Sequence, residues 1–180
     1  MTVIRDAATG TGLTITEDGH AEVVAIIESG LEHQSEENGL AFSWVSTYSA
    51  TAADEIISIQ NDDNDRHLHI SHIEVGGAST ALFTLFEVTS GTPAGTTITA
   101  QNMNLDSGKV AEETAFGNAA VTGTLTGNTL AVKHVPANDS RLMDLKSGLI
   151  LAKNDIIAIT VGSNSVVAVT VYGFYSDLPD

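Results

Sequence analysis

Residues 148–175 read GLILAKNDIIAITVGSNSVVAVTVYGFY and contain two apolar runs, 156–161 and 166–175. Both runs are rich in Val, Ile and Tyr, residue types that favour β-strands. A short polar segment with the sequence GSNS separates them. Two such runs joined by a few turn-forming residues are typical of a β-hairpin. The sequence therefore predicts that the two runs pair directly with each other.

The two runs also lack the alternation of apolar and polar residues that a strand with one solvated face displays. Only Thr160, Thr170 and small Ala or Gly residues interrupt them. Continuous apolar strands are typical of sheets that are covered on both faces. We expect a second sheet of the same chain to cover one face and another copy of the chain to cover the other. The prediction is an oligomeric β-sandwich.

Composition limits the class of protein. A chain of 180 residues suits one domain with a substantial core, and the lack of Cys excludes disulfides and thiol chemistry. No apolar run is long enough to span a membrane, and the N-terminal MTVIRDAATG has no features of a signal peptide. The net charge is −16, whereas nucleic-acid binding depends on Lys and Arg. We expect neither a membrane nor nucleic acid as a direct partner.

The chain divides into two parts, an arm and a domain. Residues 1–39 lack a sustained pattern and are predicted to be an extended N-terminal arm, with a short strand near residues 21–27 and an acidic loop at 32–38. A helix within residues 20–37, with Val23, Ile27 and Leu31 on one face, is the alternative. Residues 40–180 are predicted to form an all-β, antiparallel, jelly-roll-like sandwich. Besides the C-terminal runs, we expect strands at 41–50, 55–60, 67–75, 80–88, 129–135, 141–145 and 149–152.

Two connections in the domain have their own predictions. The segment GGAS at 76–79 lies between two strand candidates and predicts a second β-hairpin. Residues 92–127 form a long connection with short strand candidates at 96–100 and 121–126. Connections of this length within a compact β domain are usually binding or interface loops.

The segment HLHISHIEV at 67–75 changes phase in its middle. Leu68 and Ile70 share one parity, whereas Ile73 and Val75 share the other, so a β-bulge near residues 71–72 is needed to keep all four on the core face. The bulge would place a second set of side chains together on the outer face: His67, His69, His72 and Glu74. Two His residues two positions apart can bind one metal, but an ordinary polar strand face or a subunit contact is the simpler interpretation. We predict no tight zinc site.

Other candidate sites are weaker. The acidic segment 61–65, NDDND, has Leu68 where an EF-hand beginning at Asp63 needs Gly, so a solvated turn is preferred over a calcium site. The acid pairs at 36–37 and 112–113 are expected to be solvated or to point to opposite faces of a strand, not to act together in sugar hydrolysis. The sequence G-x-G at 10–12 lacks the context of a nucleotide site, and no nucleophile elbow is present. We therefore predict no catalytic, cofactor-binding or metal-binding residues and no enzymatic activity.

Several longer segments resemble one class of proteins. They are IRDAATGTGLTITEDGHAEVVAIIESGLEHQSEENGLAFSW at 4–44, QNDDNDRHLHISHIEV at 60–75, GTTITAQNMNLDSG at 95–108 with its N-x-N stretch at 102–104, and LKSGLILAKNDIIAITV at 145–161. In order and style they resemble capsid decoration (cement) proteins and related head-attached proteins of tailed bacteriophages.

The resemblance implies a non-enzymatic homotrimer on the outer capsid surface of the virion, made in the host cytoplasm. Its arm and loops would contact the major capsid protein and stabilise the shell. The acidic composition agrees, because it suits the outside of a DNA-filled shell better than its lumen. A head fibre or tail-associated module that binds a glycan is the alternative, although a single Trp and few aromatic residues leave little for a sugar-binding platform.

Overall fold

The computed structural model describes residues 3–5, 12–15, 21–22, 30–51, 53–119, 125–143, 145 and 148–177. Strands dominate, and the two helical segments are an α-helical turn α1, Gly30–His33, followed by a single π-helical turn, Gln34–Asn38. No helix in these residues is long and apolar enough to cross a membrane. The strands are β1 Val3–Arg5, β2 Gly12–Ile15, β3 Ala21–Glu22, β4 Ala41–Ala50, β5 Glu55–Asn61, β6 Arg66–Gly77, β7 Ala81–Ser90, β8 Thr96–Thr97, β9 Gln101–Asn102, β10 Glu113–Ala119, β11 Thr126–Val135, β12 Asp139–Met143, β13 Leu149–Leu151, β14 Ile156–Val161 and β15 Ser165–Asp177.

Two antiparallel sheets pack face to face, which confirms the predicted β-sandwich. Sheet I has the order β12-β6-β15-β4-β9, and β13 also pairs with β6. Sheet II has the order β11-β7-β14-β5-β10-β8. The long strands pair first with last along the chain, as β4 with β15, β5 with β14, β6 with β12 and β7 with β11. Wrapping such a ribbon of pairs around a core produces the strand order of a jelly roll.

The core lies between the two sheets and consists of the alternate residues that face inward. Its largest fully buried side chains include Trp44, Tyr175, Phe42 and Phe83. Phe42 contacts Tyr175 edge to face, with 5.8 Å between ring centroids. Aromatic pairs in this geometry stabilise a core beyond the burial of their area. These contacts hold the first and last strands of the sandwich together.

Both predicted hairpins are wrong. The strands β14 and β15 lie in different sheets, and so do β6 and β7. The segments between them cross from one sheet to the other and bond to neighbouring strands: the Gly162 N–H donates to the Leu82 carbonyl at 2.8 Å, and the Ala78 N–H donates to the Val166 carbonyl at 2.9 Å. A short polar segment between two apolar strands can therefore be a corner of the sandwich as well as a hairpin turn.

The predicted β-bulge is confirmed. In the ladder between β6 and β15, Tyr172 lies opposite His72 and Gly173 lies opposite Ile70, so Ser71 has no residue opposite it. Leu68, Ile70, Ile73 and Val75 are all fully buried. The bulge corrects the change of phase that the sequence contains.

The long connection after β7 is part of the sandwich and not a loop outside it. Its strands β8 and β10 extend sheet II beyond β5, and β9 extends sheet I beyond β4. The candidate strand at 96–100 contains only the two residues of β8. Most of the candidate at 121–126 lies outside the described residues. The connection thus adds strands to both sheets, next to β5 in sheet II and next to β4 in sheet I.

Within the predicted arm, β1, β2 and β3 form a small antiparallel sheet. The acidic segment at 32–38, predicted to be a loop, is helical instead. It packs on the sandwich, since the Asn104 side-chain amide donates to the Ser35 carbonyl at 3.0 Å. Gly39 ends the helical turn with φ of 60°, and a Cβ there would lie 2.4 Å from the Ser107 hydroxyl oxygen. Residues 35 and 39 therefore lie in close contact with residues 104 and 107 of the sandwich.

Gly173 tests the close packing around the bulge. A Cβ at this position would lie 2.6 Å from the His69 carbonyl oxygen and 3.3 Å from the Trp44 ring, so Gly173→Ala should lower the free energy of unfolding by roughly 1–3 kcal/mol. Gly108→Ala is the control, because a Cβ there meets nothing within 4 Å. Urea unfolding of both variants measures the difference. Equal stability of the two variants would contradict the close contact.

Candidate interaction surface

The outer face of sheet I carries very little charge. We call it the low-charge face, and it consists of the outward positions of β4, β6, β12, β13 and β15. Among the described residues of this face, Glu74 is the only acidic one and none is Lys or Arg, although the whole chain has 23 Asp and Glu. Its residues are Ser43, Val45, Thr47 and Ser49 of β4; His67, His69, His72, Glu74 and Gly76 of β6; Ser140 and Leu142 of β12; Ile150 of β13; and Val166, Ala168, Thr170, Tyr172, Phe174 and Ser176 of β15.

Apolar side chains on this face are exposed at its margins. Val45 and Val166 are each 53% exposed, Ile150 54% and Leu142 56%. Val45, Thr170, Glu74 and Leu142 form one row across four strands. A flat surface with small hydroxyl and apolar side chains and hardly any charge is suited to association with another protein surface, because little desolvation of charge opposes it.

The histidines lie together on the low-charge face, as the phase of the strand predicts. His69 stacks on Phe174 with ring centroids 4.9 Å apart, and His72 stacks on Tyr172 at 4.4 Å. Nε2 of His69 also shares a hydrogen bond of 2.8 Å with the Ser176 hydroxyl. Burial, and to a lesser degree the neighbouring His67, lowers the pKa of His69. These rings are therefore held by the adjacent strand β15.

No metal centre is assembled at the histidines. Among the residues that the structure describes, no three His, Asp or Glu side chains come together closely enough to hold a metal ion. The stacking on β15 gives His69 and His72 a packing role instead.

The acidic segment at 61–65 forms a tight turn that uses its own oxygens. Oδ1 of Asp63 accepts hydrogen bonds from the backbone N–H groups of Asp65 and Arg66, at 2.8 and 3.1 Å. Its Oδ2 pairs with the Arg66 guanidinium at 2.6 Å. The Asn61 side-chain amide donates to the Leu151 carbonyl at 3.0 Å. The side-chain oxygens of Asp63 are thus used for hydrogen bonds and an ion pair within the turn itself.

The acid pair at 112–113 behaves as the alternation of a strand requires. The Glu112 side chain is 57% exposed, whereas Glu113 points inward and accepts a hydrogen bond from the Trp44 indole N–H at 3.1 Å. Burial raises the pKa of Glu113, and the bond from Trp44 opposes part of that shift. Sequence analysis did not identify this interior carboxylate. The parity of Glu113 with the buried Ala115 on the same strand was the available signal.

A polar cleft lies next to this carboxylate, where the π-helical turn meets the end of the sandwich. Its volume is about 440 Å³. The Arg66 guanidinium lies 5.2 Å from the centre of the Tyr175 ring in its wall. Burial, followed by the negative charges of Glu113 and Asp63, raises the pKa of the Tyr175 hydroxyl. The cleft has both acidic and basic walls, so it favours no single class of charged ligand.

Two further sequence candidates are only partly described by the structure. Most of the G-x-G segment at 10–12 lies outside the described residues, and Gly12 begins β2. Of the acid pair at 36–37, Glu36 is exposed on the π-helical turn.

Comparison of the chain with family models, with curated proteins and with solved structures finds no match.

The raised pKa of Glu113 predicts how stability depends on pH. Because the folded state takes up this proton more readily than the unfolded chain, the stabilisation from protonation is lost as the pH rises from about 4.5 through the folded pKa. Glu113→Gln cannot ionise and keeps an oxygen that accepts from Trp44. We expect the variant to be more stable than the wild type at pH 8, with an advantage that shrinks towards pH 4.5.

Urea unfolding at a series of pH values measures this effect. Glu112→Gln removes the same charge from an exposed neighbouring side chain and corrects for the change in net charge. An advantage of Glu113→Gln over that control that stayed constant from pH 4.5 to pH 8 would contradict the assignment.

Proposed function

We propose that this chain is a non-enzymatic structural protein of a bacteriophage virion, which binds the outer capsid surface as a homo-oligomer and stabilises the shell. The observation that carries the proposal is the low-charge face on a strongly acidic jelly roll. It adds to the resemblance to capsid decoration proteins in the segments 4–44, 60–75, 95–108 and 145–161.

The low-charge face supports self-association. Its central strand β15 has Val166 and Ala168 exposed, and its ladder with β4 spans ten residues, or roughly 33 Å at the usual rise of a strand. Four strands spaced about 4.8 Å apart give roughly 500 Å² of flat area. Protruding side chains increase this area towards the ~800 Å² per partner of a standard interface. Copies of an acidic chain repel each other elsewhere, so this face is the favourable place for contact.

Closed cyclic symmetry fits the expected homotrimer. A trimer on a capsid would contact several copies of the major capsid protein at once. Because the protein would bind the assembled shell and not the free subunits, its binding free energy would oppose disassembly. Several weak contacts around one symmetry axis would act together through avidity.

The alternative, a glycan-binding head fibre or tail module, has less support. Its sugar platform would need exposed aromatic rings. The chain has five Phe, three Tyr and one Trp, all of them in described positions, and every one is buried or partly buried. We therefore favour the capsid-binding function.

Self-association through the low-charge face is tested with two matched substitutions. Val166 lies on this face and Val132 on the outer face of sheet II, and both are 53% exposed. We expect light scattering on a sizing column to report a trimer for the wild type and for Val132→Glu. Val166→Glu should shift the mass towards that of the 18.7 kDa monomer. The same mass for all three proteins would place the interface elsewhere.

Capsid binding is tested with shells of the encoding phage that lack their decoration protein. The full chain should co-sediment with expanded shells and raise their thermal disruption temperature. Deletion of residues 1–29 leaves the helical turn and its bond to Asn104 in place, so the sandwich should remain folded while shell binding weakens at least tenfold. Failure of the full chain to bind expanded shells would refute the proposed function. Full occupancy of the shells by the deletion variant would show that residues 1–29 are not needed for binding.

A further inference from the structure

One edge of sheet I is open along most of its length. On one side, β4 pairs with β15 from residue 41 to residue 50. On the other side, its described partner is β9, which pairs only with Phe42 and Ser43. The rest of β4 therefore has no neighbouring strand on this side within the part of the chain that the structure describes.

The backbone groups that face this edge follow from the ladder. The Met103 N–H donates to the Ala41 carbonyl at 2.9 Å, so the polar groups of Ala41 point towards β9. In an antiparallel strand every second residue directs its N–H and C=O to the same side. The groups of Val45, Thr47 and Ser49 therefore point to the open edge, where each offers one donor and one acceptor.

A groove of about 450 Å³ runs beside this edge. The edge of β4 forms one wall, and residues 96–99, which cross from sheet II to sheet I, form the other. None of the described residues that line it is charged: Val45, Ser46, Thr47, Thr96, Thr97, Ile98, Thr99 and Gln101. In a chain with a net charge of −16, a groove without charge is suited to an uncharged ligand.

Exposed edges of soluble proteins are usually protected by Lys, Pro or a bulge, because unpaired strands recruit other chains. The segment 45–50, VSTYSA, contains neither Lys nor Pro. Its ladder with β15 is continuous, so no bulge interrupts it. These residues therefore have none of the usual features that prevent an edge strand from pairing with a further strand.

We propose that the open edge of β4 binds an extended, uncharged segment of the shell protein, which adds a strand to sheet I by β-augmentation. This inference rests on the proposed function and specifies its contact. The incoming segment pairs with residues 45–49, over roughly 16 Å, through as many as three donors and three acceptors. The hydroxyl-rich wall at 96–99 favours small or β-branched side chains on its inner side.

A second copy of the chain fits this groove less well. Edge-to-edge pairing of two copies would bring the residues 96–99 of both copies into the space between the two strands. A single extended segment without attached sheet has no such obstruction. The occupant is therefore a flexible segment of another protein.

Hydrogen exchange of the backbone amides of Val45, Thr47 and Ser49 tests the proposal. The wild-type chain is exchanged free and bound to expanded shells, and single amides are read by mass spectrometry after the shells are dissociated. These amides should exchange rapidly in the free protein and at least tenfold more slowly on the shell. Even-numbered residues of β4, which bond to β15, should be protected in both states.

Two substitutions at Thr47 distinguish the contribution of its backbone N–H to shell binding from that of its side chain. Thr47→Pro removes the outward N–H, which proline can do on an edge strand without breaking the inner ladder. Thr47→Val keeps the N–H and changes the hydroxyl. We expect the Pro variant to bind shells at least tenfold more weakly and the Val variant within twofold of the wild type. Thermal unfolding of both variants shows that they are folded.

The outcomes separate the proposed capsid binding from the proposed contact at the edge of β4. Failure of the wild type to bind shells would overturn the proposed function and this inference with it. Binding with unchanged exchange at residues 45, 47 and 49 would overturn this inference alone. Protection in the free protein that disappears on dilution would also overturn it, because the occupant would then be a second copy of the chain.

Discussion

The fold depends on the pairing of β4 with β15, the first and last strands of the sandwich. Ten residue pairs join them, from Ala41 opposite Phe174 to Ala50 opposite Ser165. Because more than a hundred residues separate the two strands, closing this loop costs conformational entropy before the contact stabilises the fold. The burial of Trp44, Val169 and Val171 in the same ladder offsets that cost. Sheet I cannot be completed until the end of the chain is in place, so non-local contacts dominate this fold.

The sequence predicts strands better than it predicts their partners. Ala41–Ala50 matches its predicted bounds, and the bulge at Ser71 follows from a change of phase that involves only neighbouring residues. Both hairpins fail because a turn-like segment looks the same whether the next strand returns beside its predecessor or crosses to the opposite sheet. The choice depends on which faces are buried in the finished sandwich. That information is spread over all the long strands and is not contained in residues 162–164.

Surface features also differ in how far the sequence alone predicts them. The grouping of His67, His69 and His72 is predictable from strand parity, but their stacking on Tyr172 and Phe174 is not, because it depends on the register with β15. The low charge of the outer face of sheet I becomes visible only when distant segments are placed side by side. Glu113 shows the same limit: strand alternation predicts that the pair at 112–113 points to opposite faces, but not that the inward carboxylate accepts a hydrogen bond from the core Trp44.

The low-charge face and the open edge share the strand β4. The side chains of Val45, Thr47 and Ser49 point outward on the face, while their backbone groups point to the edge. A strand added at the edge would widen the face by about 4.8 Å along its whole free margin. Side chains of the added strand would then lie next to Val45 and Thr47 and could contact whatever covers the face. Binding at the edge and association through the face are therefore coupled by geometry, and each makes the other more favourable when the added strand is uncharged.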